Sequence, residues 1–146
     1  AHQPYVGETF LAVAGEPSRW RRGDEERVLA TRRCPSVDEA IVACTSPDMF
    51  GTAGALAAFE RVRARAKLTR FGGDCYAYCL LAMGLIDVVI ESSLKAWDVQ
   101  ALIPIVEGAG GTLTTWDGSR CDEGGDVLAC GDPSLAPKVR ALLAGR

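Results

Sequence analysis

The sequence predicts an α/β fold in layers, led by a β-rich segment. Three observations carry that expectation. From residue 36 to residue 146, short apolar runs alternate with stretches of helix-forming residues, as in a domain with helices packed on a sheet. Ile86 to Glu91 is almost continuously apolar and β-branched, the pattern of a strand covered on both faces. Residues 1–35 carry no helical period and break at turn residues, so they read as a β-ribbon belonging to a different sheet. The expected division is therefore residues 1–35 as ribbon and residues 36–146 as the C-terminal α/β domain.

In order, Glu8 to Ala14 has strand character and runs into a Gly15-Glu16-Pro17-Ser18 turn. Arg19 to Arg22 and Glu26 to Thr31 follow as return strands, and Ala40 to Cys44 as a short apolar strand. Ser46-Pro47-Asp48 supplies turn and capping chemistry. Ala53 to Ala66 is rich in Ala, Leu, Glu and Arg and reads as helix. Lys67 to Phe71 reads as strand, and Asp74 to Met83 as an apolar helix stopped by Gly84. After the strand at Ile86 to Glu91, Asp98 to Glu107 is expected as one helix ending at the Gly110-Gly111 pair. Thr112 to Trp116 is a strand closed by Asp117-Gly118, Asp126 to Cys130 another, and Leu135 to Leu143 the last helix.

Composition excludes several classes. At 48% hydrophobic and 24% charged, the chain is too apolar for disorder. Its net charge of −3 and lack of a long like-charge block argue against nucleic acid as a partner. The basic residues Arg61, Arg63, Arg65, Lys67 and Arg70 alternate with apolar ones and read as a solvated face. Apolar runs are too short to span a bilayer, so no membrane partner is expected. The six cysteines form no C-x-x-C pair and only one His is present, which disfavours zinc. Reduced thiols in a cytoplasmic protein are expected, with Cys75 and Cys79 buried on their helix. No nucleophile-elbow serine and no P-loop occurs, so covalent serine catalysis and P-loop nucleotide hydrolysis are disfavoured.

Three positions stand out chemically. Asp98 is placed at a helix N-terminus, where the dipole favours a carboxylate and a plain N-cap is the ordinary role. Glu91 closes a buried strand, and α/β sheets bind ligands beyond the carboxyl ends of their strands. Gly72-Gly73-Asp74 opens a helix with bare backbone, where a phosphate can dock, although turns use such pairs freely. Asp87 reads as the end of a turn, and His2 as solvated.

The stretch from Trp97-Asp98 through Ala101, Pro104-Ile105-Val106 and Ala109-Gly110-Gly111 resembles the C-terminal signature of the inositol monophosphatase family. That family hydrolyses small phosphate monoesters with Mg²⁺ on a layered sugar-phosphatase-like fold. The resemblance implies that Asp98 is a metal ligand and that Trp97 packs behind it. It implies that Glu91 contacts the non-phosphate part of the substrate and that Gly72, Gly73 and Asp74 lie near the substrate. Family members commonly carry Gly-Thr-Ala where this chain has Gly72-Gly73-Asp74. That difference, with Arg70 to Tyr78 and Leu94 to Asp98, looks like the histidinol-phosphate phosphatase branch. A cationic substrate suits Asp74 and Glu91 through charge-assisted hydrogen bonds.

The resemblance also implies that the ribbon belongs to the sheet of an N-terminal α+β domain. The family's other metal motifs, a Glu and an Asp-Pro-Ile-Asp-Gly-Thr stretch, are expected upstream. No catalytic residue is then expected within this chain, which would be inactive without an N-terminal half. A homodimer is the implied assembly. Inositol monophosphatase activity, a non-catalytic binding module and an assembly half remain the alternatives.

Overall fold

A computed structural model describes residues 1–145. Two sheets and their helices stack in layers. The first sheet has strand order β1-β2-β3-β4: His2–Gln3, Glu8–Leu11, Arg19–Arg22 and Glu25–Val28, all antiparallel neighbours. Strand β2 stops at Leu11, earlier than the expected Ala14. Side chains alternate across this sheet, so Phe10 and Trp20, which pair in register, both face inward.

The second sheet has order β6-β5-β7-β9-β8. Its strands are Ile41–Cys44 (β5), Leu68–Phe71 (β6), Val88–Lys95 (β7), Thr112–Thr115 (β8) and Gly124–Cys130 (β9). Strands β5, β6 and β7 are parallel, and β9 runs antiparallel to both neighbours. Val88, Val89 and Ile90, which open β7, have no exposed surface, as their unbroken apolar run predicts. Burying each such side chain stabilises the fold by about 1.5–3 kcal/mol.

Helices α1 (Ala53–Arg63) and α5 (Ala136–Leu143) cover one face of this sheet, with Phe59, Val62, Val139 and Leu143 in a single core. Helices α2 (Asp74–Ala82) and α4 (Leu102–Gly108) lie on the other face. Both are buried on two sides. Tyr78, Leu81, Leu102 and Val106 pack on the second sheet, while Cys79, Ala82 and Ile105 pack against Phe10 and Trp20 of the first. That explains why α2 is apolar around most of its circumference.

The expected single helix from Asp98 to Glu107 is instead two. A one-turn helix α3 (Ala96–Val99) is followed by α4, which restarts at Leu102. Pro104 is the reason. Its ring clashes with the carbonyl four residues back, at Gln100, and it is tolerated only in a helix's first turn. Asp98 is consequently not an N-cap but the third residue of α3.

Asp87, expected as a turn end, is 1% exposed and accepts from Arg32 and from the Ile41 backbone. The basic residues Arg61, Arg63, Arg65, Lys67 and Arg70 are all exposed, as expected of a solvated face; Arg61 also donates to the α5 carbonyls of Leu142 and Leu143, Arg63 pairs with Glu60 and Arg65 with Asp38. All six cysteines are free thiols. Cys79 is buried as expected, but Cys75 is exposed: it sits on the first turn of α2, and the buried residues of that helix begin at Ala77. Among the described residues, no helix is long and apolar enough to cross a membrane.

Candidate active site

Strand β5 ends at Cys44 while its neighbour β7 continues, and a cleft of about 280 Å³ opens beside this step. Its walls are Asp74, Cys75 and Tyr78 from α2, Glu91 and Leu94 from β7, and Trp97, Asp98 and Leu102 beyond it. The cleft lies at the carboxyl ends of parallel strands, where open α/β sheets place ligands. Three acidic residues singled out in the sequence, Asp74, Glu91 and Asp98, are thus brought together. Gly72 and Gly73 do not line the cleft; they set the backbone that delivers Asp74 to it.

That delivery is sterically demanding. Gly72 adopts φ +81, and a Cβ on Gly73 would lie 2.8 Å from Cβ of Ala77. Asp74 itself has φ +46, and its Oδ1 accepts from the Cys75 backbone N–H at 2.7 Å. Among the described residues, the other non-glycine residue with positive φ is Ser93, at +65, inside the bulge where β7 shifts register between Glu91 and Leu94. Bulges re-aim the side chains that follow them. Backbone strain of about 1–3 kcal/mol per residue persists where surrounding structure holds it, often at functional sites.

Glu91 is not at a strand end but in mid-strand, and it is 2% exposed. Its carboxylate is held by three donors: the Thr45 backbone N–H at 3.1 Å, the Thr45 hydroxyl, and the Tyr78 hydroxyl at 2.9 Å. Burial, and then the charge of Glu91, hold the Tyr78 phenol well above its usual pKa, so it remains a donor. Burial likewise pushes the neighbouring Cys44 thiol up to about 12, with Glu91 adding to the effect. Neither Thr45 nor Tyr78 was singled out in the sequence. The spacing of Tyr78 four residues after Asp74 was the available signal, since it puts both on one helix face.

Asp98 is exposed, and its Oδ2 accepts from the Lys95 backbone N–H at 2.8 Å. Among the described residues, no donor reaches Oδ1. An exposed carboxylate with one free oxygen is a chemically suitable Mg²⁺ ligand, because Mg²⁺ keeps several waters and takes one or two carboxylates plus substrate phosphate. Among the described residues, no group of three or more His, Cys, Asp or Glu is placed to hold a metal. Trp97 does not pack behind Asp98: it is 80% exposed, because α3 turns Val99 inward and leaves Trp97 on the opposite side. Lys95 is exposed as well.

The chain is similar to several known proteins. The chloroplastic bifunctional phosphatase IMPL2 of Arabidopsis thaliana is 43% identical over 118 residues, covering 81% of this chain and 33% of that protein. A histidinol-phosphatase of Chlorobaculum parvum is 32% identical over 84 residues, covering 58% of this chain and 32% of its own. The structure of an inositol monophosphatase from Zymomonas mobilis superposes with a TM-score of 0.91 at 36% identity, covering 98% of this chain and 55% of its own. The aligned parts thus span about a third of those curated relatives and about half of the solved structure. The model of the inositol monophosphatase family matches residues 1–144, and the chain belongs to that family.

Proposed function

We propose that the whole protein of which these residues are part is a Mg²⁺-dependent phosphatase acting on histidinol phosphate, in histidine biosynthesis. The observation that carries this reading is the meeting of Asp98 with two further carboxylates, Asp74 and Glu91, in one cleft. Family membership supports phosphate monoester hydrolysis, and the likeness to a histidinol-phosphatase supports the substrate. Asp98 would hold Mg²⁺ through its free oxygen, together with ligands outside these residues. Bound there, Mg²⁺ supplies positive charge against the phosphate and makes a bound water more acidic.

The chain's own residues account for recognition. Asp74 lines the cleft, and its Oδ1 accepts from the Cys75 amide. Glu91 faces the same space from the sheet. Two acidic groups opposite the leaving alcohol favour one bearing an ammonium or imidazolium over a polyol. We further propose an N-terminal half and a second copy of the protein as partners.

A second reading, inositol monophosphatase activity, draws support from the likeness to the Zymomonas enzyme. The test is phosphate release by the whole protein with Mg²⁺, comparing histidinol phosphate with inositol 1-phosphate. A higher kcat/KM for histidinol phosphate, lowered selectively by Asp74→Ala, is expected. Preference for inositol 1-phosphate would overturn the histidinol reading, and no turnover on either would overturn both.

A further inference from the structure

Glu91 is a buried carboxylate with no cation paired to it among the described residues. The ion pairs among the described residues join Arg19 to Glu26, Arg32 to Asp87, Arg63 to Glu60, Arg65 to Asp38 and Arg120 to Asp122, and none involves Glu91. Burying a carboxylate is costly unless hydrogen bonds compensate, and here Thr45 and Tyr78 supply them. A carboxylate accepts about four hydrogen bonds. Two fall on Oε1, both from Thr45, and one falls on Oε2, from Tyr78. Among the described residues, one acceptor position therefore remains, on Oε2, the oxygen held by a residue of the cleft wall.

We infer that Tyr78, assisted by Thr45, is a positioning residue that fixes Glu91 with a single open acceptor, making it selective for a phosphate ester whose alcohol portion carries one cationic donor. This rests on the phosphatase reading above. Tyr78 suits the role because its ring is locked in the core between α2 and the second sheet, so its hydroxyl has little freedom. Thr45 suits it because the chain leaves β5 there, freeing both its amide and its hydroxyl to turn toward β7. Freed of these donors, the Glu91 carboxylate can rotate and offer more than one acceptor, so a neutral ester is penalised less relative to a cationic one.

The experiment uses the whole protein with Mg²⁺ and two substrates: histidinol phosphate, and p-nitrophenyl phosphate, which has no cationic group. The readout is the ratio of their kcat/KM values. Tyr78→Phe keeps the ring and removes the hydroxyl; it is expected to lower the ratio about tenfold, with the loss carried by KM for histidinol phosphate. Thr45→Val, which keeps the amide donor, is expected to lower it about threefold, and it serves should Tyr78→Phe fail to fold. An unchanged ratio in the folded variants, whether both activities fall together or neither does, overturns the inference while leaving the histidinol reading intact. A wild-type protein that shows no preference for histidinol phosphate overturns that reading and this inference together.

Discussion

Arg32 grips Asp87 with two hydrogen bonds, Nε to Oδ1 at 2.7 Å and Nη2 to Oδ2 at 2.6 Å, and the Ile41 amide adds a third at 2.7 Å. The pair ties the segment after the first sheet to the start of β7 and β5. Asp87 is 1% exposed on its side chain while Arg32 is 43% exposed, so removing the arginine strands a buried carboxylate. Arg32→Ala is expected to destabilise the fold by about 2–4 kcal/mol, below the full cost for a completely buried pair. Arg32→Lys should recover little of it, since an ammonium cannot reproduce the fork. Urea unfolding measures both; a loss under 0.5 kcal/mol for Arg32→Ala would show the pair to be solvated.

Gly73→Ala should be costly for a local reason. Its Cβ would meet Cβ of Ala77 at 2.8 Å. Overpacking of this kind costs about 1–3 kcal/mol. Adding Ala77→Gly removes the clash but introduces a helix-interior glycine worth about 1 kcal/mol. The double variant should therefore be more stable than the sum of the single ones predicts, measured as a coupling energy in thermal or urea unfolding. Strict additivity would place the strain elsewhere.

Asp98→Asn retains an oxygen for the Lys95 amide and loses the charge. Stability should change by less than about 1 kcal/mol, because the site is exposed. Phosphate release by the whole protein should fall by about 10²-fold or more, with rising Mg²⁺ giving partial recovery. Near-normal turnover would remove Asp98 from the metal site.

The Asp117 carboxyl is lowered from the usual 3.8 to about 2, first by the Thr115 hydroxyl and then by the Ser119 amide and hydroxyl. A folded-state pKa below the unfolded one contributes stability that is present above about pH 4. It is lost as pH falls toward about 2. Asp117→Asn should flatten the decline of the urea midpoint between pH 4 and pH 2. Equal slopes in the two proteins would contradict it.

Thiol labelling should be single-site. Cys75 is exposed while the other five cysteines are buried. Burial, then the charge of Asp74, raise the Cys75 thiol, so its reaction should be slow at neutral pH and faster in alkali. Mass spectrometry after iodoacetamide should show one adduct on the native chain and six after denaturation. Two or more native adducts would mean that the cores open readily.

Local pattern carried much of the architecture. The unbroken apolar run at Val88 to Ile90 announced a doubly covered strand, and Ser46, Thr52 and Asp132 cap helical turns as their chemistry suggests. The break before Leu102 was also readable, since Pro104 forbids a continuous helix from Asp98. What could not be read were pairings between distant positions. Asp87 looked like a turn residue because its partner Arg32 lies 55 residues earlier. Glu91 was found as a candidate, but the donors that hold it come from Thr45 and Tyr78, on separate elements. Trp97 misled because an aromatic beside an acidic residue looks like packing, whereas which way a one-turn helix faces is settled by its tertiary neighbours.

Two tyrosines on α2 point to opposite sides: Tyr78 reaches Glu91 in the second sheet, and Tyr76 reaches Glu8 in the first. Neighbouring rungs of one short helix thus rivet both sheets at the rim of the cleft. Prying the layers apart would tear both fastenings at once, so loosening of the first sheet should register at Glu91 as lost grip. Remote damage to the ribbon is then a route to impaired substrate choice, without any change to the residues that line the cavity.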